Sequence, residues 1–170
     1  NSITEGGKDW AEKLGKPNVR NRGISGDVAL GVDARLYQIT PHKPAKIFLL
    51  IGINDVSHDV TVDSLMTDIR TLVDHIRAQT PKTKLVLQSI LPIRESTGRW
   101  KRLQGKTDMI PQINARIEAL AHEKGLTFIN LFPHFTEPGT NVMRAELTYD
   151  GLHLSKAGYD VWVKLLKPHL

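Results

Sequence analysis

Three short stretches of this chain are apolar almost without interruption: AKIFLLIG (45–52), KLVLQSI (84–90) and LTFINL (126–131). A strand with one wet face alternates polar and apolar residues. A strand that does not alternate must be covered on both faces, the condition met by a parallel sheet under helices. Between these runs, Val62, Leu65, Ile69, Leu72, Val73 and Ile76 fall on one face of a helix that Pro81 would end. Ile110, Ile113, Ile117 and Leu120 repeat the pattern, with Thr107 or Asp108 as cap and Gly125 as stop. Shorter helices are expected over 8–14 and 28–36, and Ser155 is placed to cap a last helix that buries Val161, Trp162, Leu165 and Leu166. A more polar stretch, NVRNRG (18–23), is expected as an edge strand. Strands alternating with helices predict right-handed βαβ units in an α/β fold, a three-layer α/β/α sandwich with a mostly parallel sheet, formed as one domain over residues 1–170.

Composition narrows the chemistry. There are no cysteines among the 170 residues, so thiolate nucleophiles, disulfides and Cys-based zinc sites are excluded. No apolar run approaches the roughly 20 residues that span a bilayer. No signal peptide is visible, and the compartment stays open; a leader ahead of Asn1 would make the protein periplasmic or secreted. The formal net charge is +5. Most cations are scattered among acids, and the one dense stretch is RESTGRWKRLQGK (94–106), with Arg99, Lys101 and Arg102 around Trp100. Such a loop can hold phosphates and stack a base, or attract an anionic substrate, or simply be solvated. No nucleic-acid motif accompanies it, so neither nucleic acid nor membrane is expected as a partner.

In open parallel sheets, ligands bind beyond the carboxyl ends of the strands. There the sequence places GISGD (23–27), GIND (52–55) and TYDGLHLS (148–155), with NSITEGG (1–7) at the front of the chain. Taken singly, each has an ordinary reading. Ser2 reads as coil near a terminus, Asp150 and His153 as a surface pair, Asn54 as a turn or cap residue, and Gly26 as a plain strand-to-helix turn. Together they carry chemistry. Asp-x-x-His puts a carboxylate within one turn of an imidazole, where it can fix the tautomer. The order Ser2…Asp150…His153 matches a hydrolase triad, while the Gly26 N–H and the Asn54 amide can donate to an oxyanion. Each of these groups is expected on a loop that follows a strand.

These four segments resemble the conserved blocks of the SGNH, or GDSL, hydrolases, a family of esterases and lipases. NSITEGG is similar to the first block, with the nucleophilic serine on Ser2. NRGISGD is similar to the second, with its glycine on Gly26. GIND is similar to the third, with its asparagine on Asn54, and DGLH to the block that pairs Asp150 with His153. The resemblance implies a flavodoxin-like α/β/α sandwich. Two departures stand out. Asn1 replaces the family's usual aspartate, and the family's nucleophile follows a central strand that the residues ahead of Ser2 do not supply. An apolar strand upstream of Asn1 is therefore expected.

The resemblance and the residues together imply a two-step acyl transfer without metal or cofactor. Ser2 attacks the ester carbonyl, His153 moves the proton, and Asp150 orients His153. The N–H groups of Ser2 and Gly26 and the Asn54 amide hold the oxyanion. A short acyl group, acetyl first, on a carbohydrate or other small polar carrier is the expected substrate, with Gly98, Arg99 and Trp100 as a carrier-binding wall. The alternatives are a lysophospholipase or short-chain lipase, and a non-catalytic flavodoxin-like binding module.

Overall fold

The computed structural model describes residues 1–170. They fall into two compact units. One comprises Asn1–Gly26, Leu91–Ile110 and Leu131–Leu170, and the other Asp27–Ile90 and Pro111–Asn130.

The second unit holds the sheet. Strands β1 (Lys46–Leu49), β2 (Lys84–Gln88) and β3 (Thr127–Ile129) pair in parallel in the order β1-β2-β3. All three expected apolar strands are therefore present, joined by helical crossovers. The first crossover contains the short helix α4 (Ile53–Ser57) and then the long α5 (Val62–Gln79). The second is α6 (Met109–Lys124). Helix α3 itself spans Ala29–Ala34 and packs on α5. Helix α5 starts where Thr61 caps the Ser64 N–H and stops short of Pro81. It buries all the residues of the expected stripe from Leu65 to Ile76. Helices α5 and α6 lie side by side, cross-linked by Arg70–Glu123, Arg116–Asp63 and Lys124–Asp74 ion pairs. Asn114 of α6 bonds both backbone groups of Ile90, accepting from its N–H at 2.7 Å and donating to its carbonyl at 2.9 Å. That clamps the helix to the chain just past β2.

Strand β2 is the buried one, with Leu85, Val86 and Leu87 each at most 4 % exposed. Strand β1, equally apolar in sequence, is only half-buried at all four positions and pairs on one side, with β2.

The expected strand over 18–23 is not formed. Its backbone is held by side chains instead of a ladder: Asn21 Nδ2 donates to the carbonyls of Glu5 and Lys8, and Asn21 Oδ1 accepts from the Gly23 N–H. Asparagine competes with β pairing through such local bonds, and no neighbouring strand offers these residues an edge.

The first unit is helical. It contains α1 (Ser2–Gly6), α2 (Trp10–Leu14) and α7 (Lys156–Leu166) with several single-turn 3₁₀ segments. Ser155 caps α7 as expected, its Oγ accepting from the Gly158 N–H at 3.2 Å. Trp162 and Leu166 are buried, whereas Val161 and Leu165 are half-buried.

Asp55 is a charged residue used inside the second unit. Helix α3 starts at Val28, which has no side chain able to cap it. Asp55, 2 % exposed, supplies the missing acceptor from α4, taking the Ala29 N–H at 3.2 and 3.3 Å. Burial raises its carboxyl above the ordinary range, and the nearby Asp68 adds to this, against the smaller opposing effects of the Ala29 bond and His58. A group whose folded value is raised binds its proton more tightly in the native state, so stability falls as pH rises through that window. Asp55→Asn keeps an acceptor and removes the charge. The variant's stability relative to the parent is expected to climb from about pH 4 upward and then level off, read by urea denaturation across the range. A difference that does not change with pH would contradict this.

Candidate active site

Ser2 is not on a loop, as the sequence suggested, but is the first residue of α1. Asn1 makes that helix begin. It is the N-cap, and its Oδ1 accepts from the Thr4 N–H at 3.1 Å and the Thr4 hydroxyl at 3.3 Å. The amide thus does the capping that a carboxylate would do at this position. The N–H groups of Ser2 and Ile3, in the first turn, have no acceptor within the chain.

Five residues are too few to hold a helix by themselves. The surroundings of α1 hold it. Tyr159 of α7 donates its hydroxyl to the Ile3 carbonyl at 2.7 Å. Trp10 of α2 donates its indole N–H to the Thr4 carbonyl at 2.8 Å. Trp10 meets Trp162 edge-on, with centroids 4.9 Å apart, and Tyr159 stacks against Trp162 at 6.3 Å. Gly23 lies so close beneath α1 that a Cβ would strike the Glu5 nitrogen and the Asn1 carbonyl oxygen.

At the other end of the chain, residues 148–153 form a tight turn around Thr148. Its hydroxyl donates to the His153 carbonyl at 2.6 Å and accepts from the Gly151 N–H at 2.9 Å. Gly151 sits at φ +91°, where only glycine is unstrained. A Cβ there would also collide with the Arg94 carbonyl and the Thr97 hydroxyl. The turn presents Asp150 and His153 together. Asp150 Oδ1 accepts the backbone N–H groups of Leu152 (2.9 Å) and His153 (2.7 Å), and Oδ2 faces His153 Nδ1 at 2.7 Å. Burial works to raise the Asp150 carboxyl. The His153 ring and the two backbone donors outweigh it and hold the group below its usual range.

A carboxylate so held only accepts, so Nδ1 of His153 carries the hydrogen and Nε2 is left as an acceptor. Nε2 lies 2.9 Å from Ser2 Oγ. Of the residues singled out from sequence, the structure therefore joins Ser2, His153 and Asp150 in one hydrogen-bonded chain. Gly26, at φ +79°, is exposed with its N–H unused inside the chain. Asn54 lies in the second unit, at the start of α4, and one hydrogen of its amide goes to the Asp27 carbonyl at 2.9 Å. Trp100 touches the His153 ring, with centroids 5.2 Å apart at 63°. Arg99 is exposed and forms no ion pair.

Sequence reasoning missed three contributors. Tyr149 stacks on His153 at 5.9 Å and 15°. Thr148 and Gly151 shape the turn. The Asp-Gly pair and a threonine two residues before it are turn signals, but nothing local tells that the turn docks on residues 94–97.

The sequence profile of the GDSL-like Lipase/Acylhydrolase family matches residues 1–161. The chain belongs to this family. Human platelet-activating factor acetylhydrolase IB subunit alpha2 is 25 % identical over 161 residues, covering 94 % of this chain. The chain spans 66 % of that relative's length, just under two thirds. A crystal structure of a GDSL-like lipase from Bacteroides thetaiotaomicron is 28 % identical, with a TM-score of 0.87 over 99 % of this chain and 83 % of the other. An acetylxylan esterase from Geobacillus stearothermophilus shares the fold at 23 % identity and a TM-score of 0.70, over 86 % and 68 % of the two chains. The GDSL-type α/β fold expected from the sequence is thus the fold of the protein.

The Tyr159 hydroxyl is the contact on α1 most open to test. Tyr159→Phe leaves the Ile3 carbonyl buried without that donor, and a loss of about 1–3 kcal/mol in unfolding free energy is expected from urea titration. No loss would mean that α1 is held by packing alone.

Proposed function

We propose that this chain is a serine esterase that releases short acyl groups, acetyl first, from a carbohydrate carrier. The single observation that carries the reading is the Ser2–His153–Asp150 chain, with links of 2.9 and 2.7 Å. Family membership supports ester hydrolysis, and the relative named as an acetylhydrolase supports the acetyl group.

In this mechanism, Ser2 Oγ attacks the ester carbonyl as His153 Nε2 takes its proton. The imidazolium is stabilised by Asp150, and the same proton passes to the leaving alcohol oxygen as the C–O bond breaks. Water, deprotonated by His153, then cleaves the acyl-serine and restores the hydroxyl. The proposed oxyanion donors are the N–H groups of Ser2 and Gly26 and the Asn54 amide, which keeps a second hydrogen beyond the one given to Asp27. No step calls for a metal or cofactor.

Hydrolysis of p-nitrophenyl acetate tests the proposal. Ser2→Ala is expected to fall to the uncatalysed rate. Asn54→Ala is expected to lose about 10²–10³ in turnover with its circular dichroism unchanged. Equal inertness of the parent and Ser2→Ala would leave a binding module; an undiminished rate in Asn54→Ala would remove that residue from the mechanism.

A further inference from the structure

Two aromatic rings in contact with His153 face water. Tyr149 is 67 % exposed and lies nearly parallel to the imidazole; Trp100 is 38 % exposed and inclined to it. Neither adds to the core. An ester carbonyl at Ser2 Oγ lies within reach of these rings, which touch the imidazole bonded to that oxygen.

The loop that carries Trp100 is held rigidly and left charged. The carboxylate of Glu95 accepts the N–H groups of Gly105, Lys106 and Thr107 at 2.7–3.0 Å and the Thr107 hydroxyl at 2.6 Å. These bonds overcome the effect of its partial burial and hold it below the ordinary carboxylate range. The loop is also fastened to the His153 turn, since the Arg94 N–H donates to the Gly151 carbonyl (2.8 Å) and the Thr97 hydroxyl to the Asp150 carbonyl (2.8 Å). Glu95 is the one acid in residues 94–107, and its oxygens are taken up by backbone N–H groups and the Thr107 hydroxyl. Arg99, Lys101 and Arg102 are exposed and form no ion pair. Arg94, in the same loop, is paired with Glu137.

We propose that Tyr149 and Trp100, with Arg99, Lys101 and Arg102, form a subsite for an anionic sugar, a pyranose bearing carboxylate or sulfate on the chain that carries the ester. The C–H face of a pyranose ring lies against an exposed aromatic face, and guanidinium groups match a carboxylate or sulfate. The proposal rests on the esterase reading for the identity of the ester, and it narrows the carrier from any carbohydrate to an acidic one. An anionic lipid headgroup would meet the same cations. The sugar is favoured because two exposed aromatic rings, and no apolar groove, lie beside His153.

The test is binding by calorimetry to full-length Ser2→Ala, with an oligogalacturonate and a neutral oligogalactoside of equal length. At low salt, the acidic oligomer is expected to bind at least about ten-fold more tightly, and the difference should shrink in about 0.5 M salt, as screened charge contacts require. In Ser2→Ala carrying Arg99→Gln, Lys101→Gln and Arg102→Gln, the preference should disappear. With Tyr149→Ala instead, both oligomers should weaken together, leaving the ratio intact. Equal affinities in Ser2→Ala, a preference that survives the triple substitution, or binding only to anionic lysophospholipid micelles would each overturn the proposal. Failure of the subsite and failure of the esterase reading are separable. Loss of selective binding with p-nitrophenyl acetate still hydrolysed refutes the subsite alone. Selective binding without hydrolysis refutes the esterase alone.

Discussion

A single hydroxyl fixes the front of this chain against its back. Tyr159 reaches across 156 positions of sequence to the Ile3 carbonyl, one residue from Ser2. Helix α1 is too short to persist on its own propensity, so the direction of Ser2 Oγ is set by what grips its backbone. Tyr159 and Trp10 occupy two of its carbonyls, and both pack into the Trp162 cluster of α7. Helix α7 starts three residues after His153, at Lys156, with Ser155 as its cap. Serine and imidazole are thus referred to one rigid body, and their 2.9 Å separation follows from that shared anchor. Burial raises the Tyr159 phenol, which keeps its donating hydrogen in place throughout the pH range of enzyme chemistry.

The Asp150–His153 turn is anchored differently. Inside, Thr148 closes it; outside, residues 94–97 press against Gly151, where no side chain fits. Because Glu95 also gathers residues 105–107, the loop with Trp100 is a braced structure and not a loose flap. The same few hydrogen bonds therefore set the tautomer of His153, the place of Trp100 and the position of the loop's cations.

Much of this was legible before the structure. The apolar runs at 45–52, 84–90 and 126–131 read as parallel strands because nothing else buries such segments on both sides, and the α5 stripe read as a helix from its period. That Ser2, Asp150 and His153 would meet was legible because few side chains suit a nucleophile, a base and its orienting carboxylate, and the structure joins the three by hydrogen bonds. What could not be read was tertiary. The run at 18–23 resembled an edge strand, but pairing depends on a partner edge, and Asn21 bonds to Glu5 and Lys8 instead. Strand β1 read as fully covered, yet its burial depends on neighbours, and it is only half-buried. Tyr149 and Tyr159 look alike in sequence; one is exposed beside the imidazole and the other is buried under α1, a difference made by packing alone.

The central claim is that His153 activates the Ser2 hydroxyl, and covalent trapping tests it most directly. After treatment with a fluorophosphonate, peptide mass spectrometry is expected to find one adduct, on Ser2, formed far more slowly in His153→Ala. An unlabelled Ser2, or labelling of Ser2 that proceeds equally fast without the imidazole, would contradict the account.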